Sequence, residues 1–251
     1  MEDIKQLIEK AGNAVKKSKH LVAFTGAGIS VESGIPSFRG KDGLWSRYDP
    51  KYVEIDYFKK YPEECWPVLF EIFYSQMLKA RPNKAHGVLA RWENQGLLKA
   101  VITQNIDNLH QEAGNQNVIE YHGNSRTLEC LKCHSVKTAT QAILGEIPPR
   151  CHCGGVLKPS FVFFGEEIPH QAAMAAVQEA SLCDVMLVIG TTGAVMPANM
   201  IPVYASRAGA FIIEINPEPG EFTYNIVDLF FPLKAGEALT AIENYINQSA
   251  G

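Results

Sequence analysis

Leu21-Val22-Ala23-Phe24-Thr25-Gly26-Ala27-Gly28-Ile29-Ser30 is the stretch that decides the fold. Four consecutive apolar residues read as a strand buried on both faces, and the closely spaced glycines behind it let a backbone approach a pyrophosphate. Working outward, Ala100-Val101-Ile102-Thr103, Val185-Met186-Leu187-Val188-Ile189, Phe211-Ile212-Ile213-Glu214-Ile215 and residues 226–231 repeat the apolar run. Ile4, Leu7, Ile8, Ala11 and Val15 recur at helical spacing over residues 2–17, and further helices are predicted at 84–95, 171–181, 198–208 and 236–247. Continuous apolar strands alternating with helices predict an α/β fold with a doubly wound parallel sheet. Ligands of such sheets bind beyond the carboxyl ends of the strands, where the Gly- and Asn-rich segments fall. The hydride-transfer fingerprint G-x-G-x-x-G is incomplete, because position 31 is Val31.

Composition narrows the classes. The 251 residues carry 23 basic and 27 acidic side chains, a net charge of −4, with 46% hydrophobic and 20% charged residues. That is too apolar and too weakly charged for a disordered chain, and it lacks the basic excess of a general nucleic-acid binder. Met1 to Gln6 lacks the layout of a signal peptide, and no apolar run approaches 18 residues; Phe161 to Gly165 and Val185 to Gly190 are strand-sized. A cytoplasmic protein without membrane or direct nucleic-acid partners is expected.

Cys130-Leu131-Lys132-Cys133 and Cys151-His152-Cys153 stand 17 residues apart, a spacing suited to a tetrahedral four-cysteine zinc site. Four thiolates leave no open coordination position, so the zinc is expected to be structural. The second knuckle is C-x-C where C-x-x-C is usual, so one sulfur is expected to sit less well, with His134 and His152 as substitute ligands. The segment 124–158 holds both knuckles, Pro148-Pro149 and Gly154-Gly155, and reads as a small inserted lobe within a main domain of 1–123 and 159–251; further lobe helices are expected from about 40–80. Cys65 and Cys183 have no partner spacing and read as buried thiols.

Several segments follow strand ends. Gln104-Asn105-Ile106-Asp107-Asn108 either recognises an amide, such as a carboxamide ring substituent, or opens the next helix as an N-cap. Arg39 either reaches a phosphate or ribose or is a solvated loop arginine. Gly190-Thr191-Thr192-Gly193 and Asn216-Pro217-Glu218 lie where a nucleotide's phosphates and adenosine ribose would be held, or are ordinary turns. His122, in Tyr121-His122-Gly123, is one of seven histidines, and histidine is the usual general base near neutral pH.

Together these segments resemble the sirtuin family of NAD-dependent protein deacylases. The matching pieces are Gly26-Ala27-Gly28-Ile29-Ser30, Gly34-Ile35-Pro36-x-Phe38-Arg39-Gly40, Thr103-Gln104-Asn105-Ile106-Asp107, Tyr121-His122-Gly123, the four cysteines, Phe163-Phe164-Gly165-Glu166, and Gly190-Thr191 with Asn216. They occur in family order over about residues 20–235. The resemblance implies a Rossmann-like NAD-binding domain, a small zinc lobe holding one ion, and an active site between them. It implies His122 as general base, with Asn105 and Asp107 also catalytic. It places Gly26, Ala27, Gly28, Phe38, Arg39, Gln104, Asn105, Ile106, Asp107, Gly190, Thr191, Thr192, Asn216, Pro217, Glu218 and Ala235 around NAD. An acyl-lysine protein or peptide would add as a strand between Val162-Phe163-Phe164-Gly165-Glu166 and the Ala194–Pro197 loop with Val195 and Met196. The implied reaction moves the acyl group to ADP-ribose, consuming NAD as a co-substrate and releasing nicotinamide and O-acyl-ADP-ribose.

Departures from the family pattern are Val31, expected to crowd the cofactor loop, Ser37, and Gly193, expected to loosen the substrate-facing loop. Succinyl- and malonyl-removing members carry a Tyr and an Arg three residues apart on a helix lining the acyl pocket. The corresponding Trp66–Leu78 stretch has Tyr74 but no cationic residue, so acetyl and other neutral acyl groups are expected. The competing readings are a mono-ADP-ribosyltransferase, a non-catalytic NAD-binding module and a dehydrogenase.

Overall fold

The computed structural model describes residues 3–37, 43–77 and 79–248. Helix α1 (Ile4–Lys17) leads into β1 (Leu21–Thr25), and a 3-10 segment, Ala27–Ser33, follows directly. After α2 (Ile55–Lys60) and α3 (Pro62–Leu69), a π-helical turn, Phe70–Tyr74, runs into the short α4 (Ser75–Met77). Then come α5 (Lys84–Asn94), β2 (Leu98–Thr103), α6 (Leu109–Ala113), β3 (Val118–Glu120), β4 (Gly123–Cys130), β5 (Val136–Thr138), α7 (Gln141–Leu144) and β6 (Leu157–Phe161). The chain closes with α8 (His170–Leu182), β7 (Val185–Ile189), α9 (Met200–Arg207), β8 (Phe211–Ile215), β9 (Leu229–Phe231) and α10 (Ala235–Gln248).

The large sheet has the order β3-β2-β1-β7-β8-β9 and every pairing is parallel. Numbered within that sheet the order is 3-2-1-4-5-6, that of a dinucleotide-binding Rossmann fold, with the switch point between β1 and β7. A second sheet, β5-β4-β6, is antiparallel and lies in the chain between the third and fourth strands of the first. The expected fold class is thus borne out.

Side chains alternate across each strand, so the sheet has two buried faces. Leu21 and Ala23 pack with Leu89 and Trp92 of α5, Ala11 of α1 and Leu239 and Ile242 of α10. Val22 and Phe24 pack on the other face with Ala176 and Ala180 of α8 and Ile201 and Ala205 of α9. Small alanines let α8 and α9 lie close to the strands. Arg91 Nε and Nη2 donate to Glu243 Oε1 and Oε2 at 2.9 and 2.6 Å, a bidentate pair that ties α5 to α10. A third core joins Phe58, Trp66 and Phe73 to Leu128, Leu157, Phe161 and Phe163 beneath the small sheet, and Trp66 Nε1 donates to Leu157 O at 2.9 Å. Residues 44–77 therefore share one apolar core with the cysteine-bearing sheet. No helix among the described residues is long and apolar enough to cross a membrane.

Two strand expectations shift. Residues 226–228 are not strand, because the Asn225 and Ile226 amides turn back to Phe222 O and the Asp228 carboxylate accepts from the Ile212 amide. Past Phe161 the chain leaves the sheet and turns at 163–166, where the Glu166 amide donates to Phe163 O and Gly165 adopts φ +88°.

Gly190 at the end of β7 has φ +62°, and a Cβ there would lie 2.4 Å from Ile29 N, whereas Gly209, at φ +94°, has nothing within 4 Å. Gly209→Ala should cost only the left-handed penalty, about 1–2 kcal/mol, and Gly190→Ala should cost at least about 2 kcal/mol more, read by urea unfolding.

Candidate active site

The site stands on the ends of β1, β2 and β7. The Gly26 amide donates to Ile189 O at 3.0 Å and the Gly28 amide to Gly190 O at 2.8 Å, so two strand-end loops touch backbone to backbone. A Cβ on Gly28 would lie 2.6 Å from Gly190 Cα, which is why this crossing needs glycine on both sides. The 3-10 segment behind it is pinned at two points. Asn83 Nδ2 donates to Ile29 O and Ser33 Oγ at 2.7 and 2.9 Å, and Glu32 Oε2 accepts from the Gly236 amide at 2.8 Å, beside Ala235 at the start of α10. Val31 is 48% exposed, so it is not packed into the loop as expected.

Behind β2, the residues from Gln104 to Asp107 face this segment. Asn105 Nδ2 donates to Gly26 O and Ser30 Oγ at 3.1 and 3.2 Å, and Ser30 Oγ donates to Asp107 Oδ2 at 2.6 Å. Asp107 Oδ1 accepts from the Leu109 amide at 3.0 Å, one residue ahead of Asn108, which holds the N-cap position of α6 without a side-chain cap bond, and Asp107 also lines the cavity. Burial pushes the Asp107 carboxyl up, while the Ser30 and Leu109 bonds pull it back. Ala27, Ser30, Ile35, Asn105, Ile106 and Asp107 line a cavity that Ile72, Phe73 and Met77 close on the far side. The π-helical turn sets that wall: Tyr74 is turned into the core and stacks on Trp66, with ring centroids 5.9 Å apart.

Gln104 links this region to the loops after β7 and β8: its Nε2 donates to Thr191 Oγ1 at 3.1 Å, and Asn216 Nδ2 reaches Thr191 O at 3.5 Å. His122 is half-buried, and its Nδ1 lies 3.1 Å from Gln104 O. A carbonyl only accepts, so Nδ1 carries the proton and Nε2 keeps its lone pair. Burial lowers the His122 pKa, with the Gln104 bond partly opposing. Gly123, at φ +70°, would place a Cβ 2.2 Å from Ser160 O, so the residue after His122 is glycine for close strand approach.

The Val162–Glu166 stretch adjoins His122, whose carbonyl accepts from the Val162 amide at 2.9 Å. On the opposite side of the turn, Phe164 N–H donates to Val53 O and Phe164 O accepts from the Ile55 amide. Gly193, expected to loosen its loop, instead fits under a ring: it is buried at φ +77°, and a Cβ would meet Phe222 at 2.9 Å. Met196 is 65% exposed and Val195 half-buried. Thr192, Pro217 and Glu218 are exposed at the outer edge. Phe38 and Arg39 lie outside the described residues.

The four cysteines converge, with all four sulfurs within 4.8 Å of one another. Cys130–Cys153, Cys133–Cys153 and Cys133–Cys151 are 3.5, 3.4 and 3.8 Å apart. A tetrahedral zinc with sulfurs at about 2.3 Å spaces them by about 3.8 Å, so the set fits that ion. The C-x-C knuckle brings Cys153 in fully, contrary to expectation, because Gly155 leaves room: a Cβ there would lie 2.6 Å from Cys130 Sγ. His134 pairs with Glu129 at 2.9 Å, and His152 Nδ1 lies 3.4 Å from the Cys151 sulfur, so neither stands in for a cysteine in this cluster.

Some contributors went unread in the sequence. Ser30, which bridges Asn105 and Asp107, was visible only as part of a loop motif. Asn83 follows Pro82, an N-cap signal, and His86 three residues on completes a capping box by accepting from the Asn83 amide. His86 and His110 are both buried with rings 4.8 Å apart, and His110 Nε2 lies 3.0 Å from Thr25 Oγ1. Desolvation lowers both, His86 to about 4, so this pair is neutral packing beneath the site.

Comparison with known proteins agrees with this geometry. Residues 26–197 match the profile described as the Sir2 family. A relative from Caldivirga maquilingensis, named NAD-dependent protein deacetylase, is 46% identical over 94% of this chain and 93% of its own. A solved Sir2 homologue mutant in complex with ADP-ribose superposes with a TM-score of 0.90 at 40% identity, covering 96% of this chain and 97% of that one. A Sir2–p53 peptide–NAD complex gives 0.88 at 35% identity, covering 96% and 99%. A match of that extent, together with the Rossmann order and the cysteine cluster, means that this chain belongs to the Sir2 family.

Proposed function

We propose that the protein is an NAD-dependent protein-lysine deacetylase that transfers the acetyl group to ADP-ribose and releases nicotinamide. The observation that carries this reading is the His122 ring. Its Nδ1 proton is committed to the carbonyl of Gln104, the residue directly before the cavity-lining Asn105, and its Nε2 is left basic. A pure NAD-binding module has no need of such a base, and relatives of similar length are named deacetylases or deacylases.

NAD supplies a ribose carbon that becomes electrophilic as nicotinamide departs. Ser30, Asn105 and Asp107 offer amide and carboxylate partners for the nicotinamide carboxamide and its ribose. The Gly26–Gly28 crossing admits a phosphate-bearing chain close to backbone, and Thr191 and Asn216 continue that track toward the adenosine. Holding both reactants in one cleft removes much of the entropic barrier. The acyl oxygen bonds to that ribose carbon as the nicotinamide bond breaks. His122 Nε2 takes the proton from a ribose hydroxyl, whose oxygen attacks the resulting imidate carbon. Addition of water with cleavage of the C–N bond then frees the lysine amine and leaves O-acetyl-ADP-ribose. The acyl-lysine segment lies as an added strand between Val162–Glu166 and Ala194–Pro197, where backbone bonds tolerate varied flanking residues. In this reading the lobe of 124–158, with its zinc, holds its side of the cleft, and the metal takes no part in the chemistry because four thiolates fill its shell.

Ile72, Phe73 and Met77 give the cavity an apolar wall, and no cation lines it among the described residues, so an acyl carboxylate unpaired there would cost several kcal/mol. Incubation with NAD and matched acetyl- and succinyl-lysine peptides, followed by mass spectrometry, should show acetyl loss with O-acetyl-ADP-ribose in equal amount and succinyl-lysine spared. His122→Ala should slow acetyl loss by at least about 100-fold. ADP-ribose attached to protein, with the peptides unchanged, would replace this reading by mono-ADP-ribosyl transfer.

The base must be neutral to act, and burial lowers its pKa. The acid limb of kcat/KM should therefore fall below the ordinary histidine value of 6.5, with activity lost only as pH drops through that lowered pKa. An acid limb above pH 6.5 in a pH–rate profile would contradict the geometry assigned to His122.

Metal analysis should return about one zinc per chain, and Cys130→Ser should release it and lower Tm by on the order of 10 °C. Retention of stoichiometric zinc by that variant would rule out the four-cysteine shell.

A further inference from the structure

Lys158 lies in β6 and is 7% exposed, and the chemistry above makes no use of it. A buried ammonium is costly unless all its protons are bonded. Here they are: Nζ donates to Pro159 O, Phe161 O and Glu166 Oε2, each at 2.9 Å, and it lies 4.3 Å from the Phe163 ring centroid. Burial pushes the amine down, and Glu166 pulls it back.

The same Glu166 oxygen accepts from the Phe163 amide at 2.8 Å, while the Glu166 amide donates to Phe163 O at 3.0 Å. Both backbone groups of Phe163 are thus held by Glu166, and Glu166 is held by Lys158. The turn so fixed, 163–166, is the substrate-facing segment, and Val162 just before it is bonded to the His122 carbonyl. The ammonium also binds the last carbonyls of β6, so it fixes the turn relative to the small antiparallel sheet.

We propose that Lys158 is a positioning residue for the acyl-lysine segment: through Glu166 it sets the conformation of the Phe163–Glu166 turn against which that segment binds. The assignment rests on the deacetylase reading above. Lys158 touches neither reactant, so its loss should weaken peptide binding and leave the NAD side and the chemical step intact. A guanidinium in its place retains the charge and several donors, so Lys158→Arg should restore most of the affinity.

The test is steady-state kinetics on the full chain with an acetyl-lysine peptide and NAD varied in turn, for Lys158→Met, Lys158→Arg and Glu166→Gln, with Tm measured alongside. The expected result is a peptide KM raised about 10-fold or more in Lys158→Met, with kcat and the NAD KM within about 2-fold and near-normal values in Lys158→Arg. Glu166→Gln keeps an acceptor but loses the charge, and should raise the peptide KM in the same direction; it carries the test if Lys158→Met does not fold. An unchanged peptide KM in the folded variants, or equal loss on the peptide and NAD sides, would overturn the proposal. Absence of turnover by the unaltered chain would instead overturn the functional reading on which it rests.

Discussion

The backbone crossing of Gly26–Gly28 against Gly190 is the constraint from which the rest of the site follows. The Gly28 amide reaches Gly190 O at 2.8 Å, and no side chain fits between. That contact joins the ends of β1 and β7 at the sheet's switch point. Asn105 bonds the Gly26 carbonyl from the β2 side, Gln104 reaches Thr191 just after Gly190, and the Gly190 amide continues the ladder to Ile215. A displacement of the crossing would therefore move the residues proposed for nicotinamide, ribose and phosphate together. The site behaves as one rigid corner, in keeping with the need for preorganised polar groups in a low-dielectric cleft.

Around that corner the polar groups are matched in pairs. Ser30 stands between Asn105 and Asp107, the Gln104 carbonyl takes the His122 proton, and Glu166 stands between Lys158 and Phe163. In each of these three sets the partner fixes the group's direction as well as offsetting its desolvation. The small lobe reaches the corner through two of these links, β4 after His122 and β6 before the 163–166 turn. Its cysteine cluster and apolar core are therefore tied to the corner through these two strand ends.

Much of this was readable in the chain. The apolar strands gave the sheet because burial on both faces leaves a continuous run, and the cysteine spacing announced a cluster because metal ligands come in short knuckles. The residues around the cavity were legible because Asn, Asp and Gly gathered at strand ends. What stayed hidden depended on contacts across the fold. Gly193 looked like slack, because the Phe222 ring above it is 29 residues away in sequence. Val31 looked like crowding, because which side of a 3-10 turn faces out is set by packing. Ser30 sits in the loop motif and Asn83 in an N-cap signal, but neither pattern tells which groups they bridge, and Lys158 carries no signal; their roles come from what faces them.

The π-helical turn at Phe70–Tyr74 has a consequence for how such a pocket can diversify. A wide turn contains one residue more than ordinary winding needs. Removing that surplus residue would let ordinary winding close across the gap, with the helix on either side kept in register. Only the residues of the turn itself would be re-aimed, so the part of the wall made by Ile72 and Phe73 would be re-cut while Met77, Ser30, Asn105 and Asp107 keep their places. A single-codon deletion could thus re-shape the chamber in one evolutionary step that no point substitution at the reacting residues could equal.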